Sequence, residues 1–137
     1  MRRYAILLAG LLIAPAAAAS GKADKLLAPT LSSYGSTLRW GSFEQAIGFI
    51  DPEYLKAHPI SNLDLQRYAQ VRVSFYHDDQ SPQSVSPTDI VQMVEIGIIN
   101  EHTQSERIIV DRQHWHWDAK AKKWWLVSGL PDITHKD

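Results

Sequence analysis

A chain of 137 residues with 45% hydrophobic and 21% charged side chains can build one domain with its own core. Its net charge of −1, with no cluster of Lys and Arg, excludes a nucleic-acid surface, and the small Lys120/Lys122/Lys123 group reads as a solvated turn. The absence of cysteine excludes disulfides and a lipidated N-terminal cysteine, so stability must come from packing.

Arg2 and Arg3 form a basic start, and Tyr4 to Ala14 is an apolar run too short to span a bilayer comfortably. Pro15 breaks that run, and Ala17-Ala18-Ala19 offers small residues for cleavage before Ser20. The pattern predicts a secretory signal peptide over residues 1–19, a bacterial periplasmic or secreted protein, and no membrane segment after cleavage. Removing it leaves 118 residues with 12 basic and 15 acidic side chains. Residues 20–25 are expected to be a disordered lead-in, 26–131 a single α+β domain and 132–137 a tail.

Leu27, Leu31, Tyr34 and Leu38 recur at helical spacing and predict a helix from about Leu26 to Trp40, with Pro29 tolerated in its first turn and Gly41 as its stop. Ser42-Phe43-Glu44-Gln45 is a capping-box pattern that opens a second helix with an apolar stripe of Phe43, Ala46, Ile47 and Ile50. Asp51-Pro52 caps a further helical turn through Leu55.

From Gln66 to His77 the chain alternates, with Ala69, Val71, Val73 and Phe75 on one face, which predicts a strand. Asp78 to Asp89, with Pro82 and Pro87, reads as a long loop. Ile90 to Asn100 is a second strand, apolar on both faces: Val94, Ile96 and Ile98 against Val91, Met93 and Ile99. Helices can cover only one of those faces, so a second copy of the chain is the expected cover for the other, giving a homodimer through the sheet. Glu106–Trp117 and Lys123–Ser128 complete a four-stranded meander. Four of the five tryptophans fall within eleven residues of these last two strands. If Asp118 and Lys123 close their turn, Trp117 faces Trp124 and Trp115 faces Leu126 on one side of the sheet.

Leu38-Arg39-Trp40-Gly41-Ser42-Phe43-Glu44, then Phe49-Ile50-Asp51-Pro52, and the closing Arg112-Gln113-His114-Trp115 with Trp124-Trp125-Leu126 resemble a group of small exported proteobacterial proteins of unknown function, which are themselves similar to the nuclear-transport-factor-2-like (cystatin-like) cone fold. The resemblance implies N-terminal helices packed on a curved four-stranded antiparallel sheet in a cone, with a pocket inside and frequent dimerisation through the outer face. That class holds isomerases, cyclases, dehydratases and non-enzymatic binders, so fold does not select function.

Several side chains could carry chemistry. Asp111 shares a face with Gln113, Trp115 and Trp117, so it is expected inside the cone, where burial would raise its pKa toward that of a general base, with Tyr34 or Tyr54 as hydroxyl donor. Tyr34, Trp40, Phe49, Trp115 and Trp117 are the expected lining of an apolar ligand pocket. His114 and His116, two apart on a strand with Asp118 continuing the row, are weak metal-ligand candidates. Neither a G-x-S-x-G elbow nor a glycine-rich phosphate loop occurs, and no cofactor is implied. The expectation is a non-catalytic binding or interaction module that holds a small apolar ligand. The alternatives are a cofactor-free isomerase or hydratase, and an envelope assembly or inhibitory protein acting through a sheet edge.

Overall fold

The computed structural model describes the backbone of residues 4–134 and the side chains of residues 21–134. The expected signal peptide lies outside the fully described residues. Helix α1 (Tyr4–Trp40) leads to a short α2 (Phe43–Ala46) and a 3-10 turn (Ile47–Phe49), then α3 (Pro52–Ala57) and α4 (Asn62–Ala69). Five strands follow: β1 (Val71–His77), β2 (Gln83–Ser86), β3 (Asp89–Asn100), β4 (Glu106–Asp118) and β5 (Lys123–Leu126). All pairings are antiparallel, in the order β1-β3-β4-β5, with β2 paired to β3 beside that path.

Helix α1 touches β1 at one end of this order and β5 at the other. A flat sheet could not reach one helix with both ends, so the sheet curls around α1 as a half-barrel and gives the α+β arrangement of helices on a curved sheet. Leu31, Tyr34 and Leu38, the stripe read from the sequence, are the buried side of α1. The inner faces of β3 and β4 meet them with Val94, Ile96, Ile98, Ile109 and Trp115. The tryptophan hairpin has the register expected of it: Trp115 opposite Leu126, Trp117 opposite Trp124, and Asp118 opposite Lys123. Beyond β5, Ile50 bridges to Leu126 and the Asp51 amide donates to the Leu126 carbonyl at 3.0 Å, which covers an otherwise open strand edge.

Both short helices are capped as expected. Ser42 and Gln45 form the reciprocal capping box, and Asp51 accepts from the Glu53 amide at 2.9 Å.

Several expectations need correction. Residues 21–25 are helical, not a disordered lead-in: Ala23 is buried and its carbonyl accepts the Trp124 indole N–H at 2.8 Å. Pro29 is therefore mid-helix, and the structure tolerates it on the exposed side of α1, where a carbonyl deprived of its partner faces water. Gly41 ends α1 by close approach and not by a left-handed turn, because a Cβ there would run into Gln45 Oε1 and the Thr37 carbonyl.

The stretch 66–70 belongs to α4, capped by Ser61, and the strand begins only at Val71. Within β1 the register slips between Val73 and Phe75, so Tyr76, not Phe75, turns inward, and Phe75 lies over Gly97 on the outer face. The loop expected over 78–89 contains β2, a wholly exposed edge strand. The expected tail also begins too early: Ile133 is buried, and Tyr68 donates to the Pro131 carbonyl at 2.7 Å.

Candidate functional site

Alternation along β4 aims Asp111, Gln113, Trp115 and Trp117 into the half-barrel. Gln113 organises them: its amide nitrogen donates to the Tyr76 hydroxyl at 2.8 Å and to Asp111 Oδ2 at 3.2 Å, and its oxygen accepts the Trp115 indole N–H at 3.1 Å. Tyr34 descends from α1 onto this group, edge-on to Trp115 at 5.2 Å and to Phe49 at 5.4 Å, with its buried hydroxyl unpartnered. Burial pushes the Asp111 carboxyl up to about 6, against the lowering effect of the Gln113 bond. Burial first, and the Asp111 charge second, raise the Tyr34 hydroxyl well above its ordinary value. Tyr76 is raised by burial, partly offset by Gln113. At neutral pH the interior is thus one carboxylate among neutral hydroxyls.

This interior is sealed. Tyr34 and Trp115 have no exposed surface, Gln113 is 1% exposed and Asp111 9%. The five residues expected to line one pocket therefore do not do so together. Tyr34, Trp115 and Trp117 are core, Phe49 borders an opening beside the core, and Trp40 is 76% exposed at the far end of α1. Tyr54, the alternative hydroxyl donor, stacks on His58 at 4.2 Å and lies against Gly129, away from the acid.

The opening at Phe49 is a groove of about 430 Å³ between α1, the 3-10 turn and the start of β5. Leu26, Pro29, Phe49 and Trp124 give it an apolar wall, and Gly48 leaves it open, since a Cβ there would meet nothing within 4 Å. Lys123, at its edge, has its ammonium over the Trp125 ring at 4.0 Å.

On the outer face His114 and His116 do stand in one row, and both bind a residue that sequence reasoning passed over. Asp89 Oδ2 lies 2.6 Å from His114 Nε2, and Oδ1 lies 2.9 Å from His116 Nδ1. Burial raises the Asp89 carboxyl, but bonds from Thr88, His116 and His114 outweigh it and hold the group below the usual carboxylate range. Asp118 stands at the end of the same row, but its carboxylate is taken up elsewhere. It closes the hairpin turn by accepting the Lys120 and Ala121 amides and the Trp125 indole N–H. Among the described residues no three His, Cys, Asp or Glu side chains form a metal-binding group. The clamp's signal in the sequence was Asp89 at the head of a strand running opposite the two histidines, legible only with the β3–β4 register in hand.

No protein-family model, curated protein or solved structure matches this chain.

Proposed function

We propose that this chain is an exported, non-catalytic binding module that holds a small apolar molecule in the groove between α1, the 3-10 turn and β5, on a scaffold resembling the nuclear-transport-factor-2-like class. The observation that carries it is the apolar, open groove of about 430 Å³, a volume in the range of small-molecule sites, beside a core closed to solvent. The groove replaces the cone as the place where the ligand sits. Titration with the apolar fluorophore 1-N-phenylnaphthylamine tests it: saturable brightening is expected for the native chain and none for Gly48→Leu, whose new side chain fills the groove without disturbing the fold. Brightening that survives Gly48→Leu, or that never saturates, contradicts the assignment.

Acid–base catalysis at Asp111 is the second reading, favoured by the carboxyl's poise near pH 6. It requires a reactant to enter past side chains that are now closed, and it predicts that Asp111→Asn abolishes a turnover the native chain performs.

The outer sheet face, with Met93, Ile108 and Val110 each more than a third exposed, supports a homodimer.

A further inference from the structure

The apolar groove does not end at Ser33. Helix α2 and the 3-10 turn run back alongside α1, and a second, shallower cleft of about 720 Å³ continues between them toward Trp40, sharing Pro29 and Ser33 with the first. From Leu26 to Trp40 the helix rises about 21 Å, so the two together make a long channel.

Its chemistry changes along its length. Leu26, Phe49 and Trp124 wall one end, whereas Ser32, Ser36, Thr37 and Gln45 line the other. The second cleft carries no charged side chain, in a chain where about one residue in five is charged. At its far end stands Trp40, 76% exposed and fixed in place. Arg39 donates to the Val73 carbonyl at 3.0 Å and lays its guanidinium over the indole at 4.1 Å.

Resting on the groove-binding reading, we infer that the ligand is a single-chain amphiphile with an uncharged, hydroxyl-rich head. The apolar chain lies against Phe49 and Trp124, and the head lies among the serine hydroxyls with its C–H face on Trp40. The Ser and Thr hydroxyls and the Gln45 amide N–H offer hydrogen bonds to a hydroxyl head, and the described lining offers no charged partner to a carboxylate or ammonium. The neighbouring Arg39 guanidinium is already committed to the Val73 carbonyl and the Trp40 ring. The negative face of an indole attracts polarised C–H bonds, and a ring already held by Arg39 loses little freedom on contact.

Calorimetric titration of the full chain with octyl glucoside, 1-octanol and octanoate, each below its aggregation concentration, tests the assignment. Octyl glucoside is expected to bind roughly tenfold more tightly than either of the others, which corresponds to one aromatic stacking contact. Trp40→Ala, at an exposed position that the fold does not need, should erase that tenfold and leave octanol unchanged. Equal affinity for octyl glucoside and octanol, equal or tighter binding of octanoate, or a preference that survives Trp40→Ala overturns the head-group assignment while the apolar groove stands. Failure of both octanol and octyl glucoside to bind overturns the groove itself.

Discussion

Asp111 gives the fold an unusual dependence on pH. Its carboxyl titrates near 6 in the folded chain against about 3.8 when unfolded, so the native state holds the proton more tightly. A raised carboxylate pKa means stability that is fully present below the unfolded value and lost as pH rises to and through the folded one. The loss amounts to about 3 kcal/mol at pH 7.5, since each pKa unit corresponds to about 1.4 kcal/mol. Asp111→Asn keeps an acceptor for Gln113 and carries no charge, so it should be more stable than the native chain at pH 7.5 and indistinguishable from it near pH 4. Urea midpoints at the two pH values check this, and an Asn variant that is weaker at pH 7.5 contradicts the burial account. Asp89 has the opposite sign: its lowered pKa contributes stability above the ordinary carboxylate range that is lost as pH falls below it. Asp89→Asn should cost about 1–2 kcal/mol at pH 7, because two imidazole rings and a threonine hydroxyl lose an anionic acceptor at a partly exposed site. Asp111 could be placed inside from alternation alone, because period two fixes which residues share a face. Asp89 could not, because its partners lie 25 and 27 residues away in the chain.

At the scale of elements, the packing is tight where the outer face of β1 crosses β3. A Cβ on Gly97 would run into the Phe75 ring and Ser74 Oγ, so Gly97→Ala should destabilise the fold by about 1–3 kcal/mol. The loss should shrink in the Gly97→Ala/Phe75→Ala pair, and additive losses in a double-mutant cycle would show that the ring is not the obstacle. The segment around Ile133 is structural as well: Ile133→Ala, at a site 6% exposed, should cost about 2 kcal/mol or more in urea unfolding, whereas a dispensable tail would show no change. Elements with a clear period or cap were legible in the sequence, among them the buried face of α1, both capped turns and the hairpin register. Two failed for physical reasons. Residues 66–69 match a two-residue period, but Ser61 capping Asp64 had already started a helix through them. Strand β2 has no buried residue, so no apolar pattern marks it, and only its pairing with β3 defines it.

At the scale of the whole molecule, one side of the curved sheet is consumed by the core and the other keeps Met93, Ile108 and Val110 in solvent. If two copies bury that face, sedimentation equilibrium should give a dimer for the native chain and a monomer of unchanged circular dichroism for Val110→Glu, which places a charge at the centre of the contact. A native monomer contradicts the dimer and leaves the groove untouched, since Met93, Ile108 and Val110 take no part in lining it. The same curvature closes the expected pocket from solvent: Tyr34, Trp115 and Leu126 are wholly buried in the half-barrel, and the open groove lies along the seam where α1 meets the 3-10 turn and β5. A sequence identifies aromatic residues as apolar, but whether they line a void or close it depends on how far α1 sinks into the sheet. The central claim is that this seam holds an organic molecule, and native mass spectrometry of the chain purified without detergent tests it most directly. The native chain should carry an added small-molecule mass that Gly48→Leu loses, and a bare mass for the native chain would contradict it.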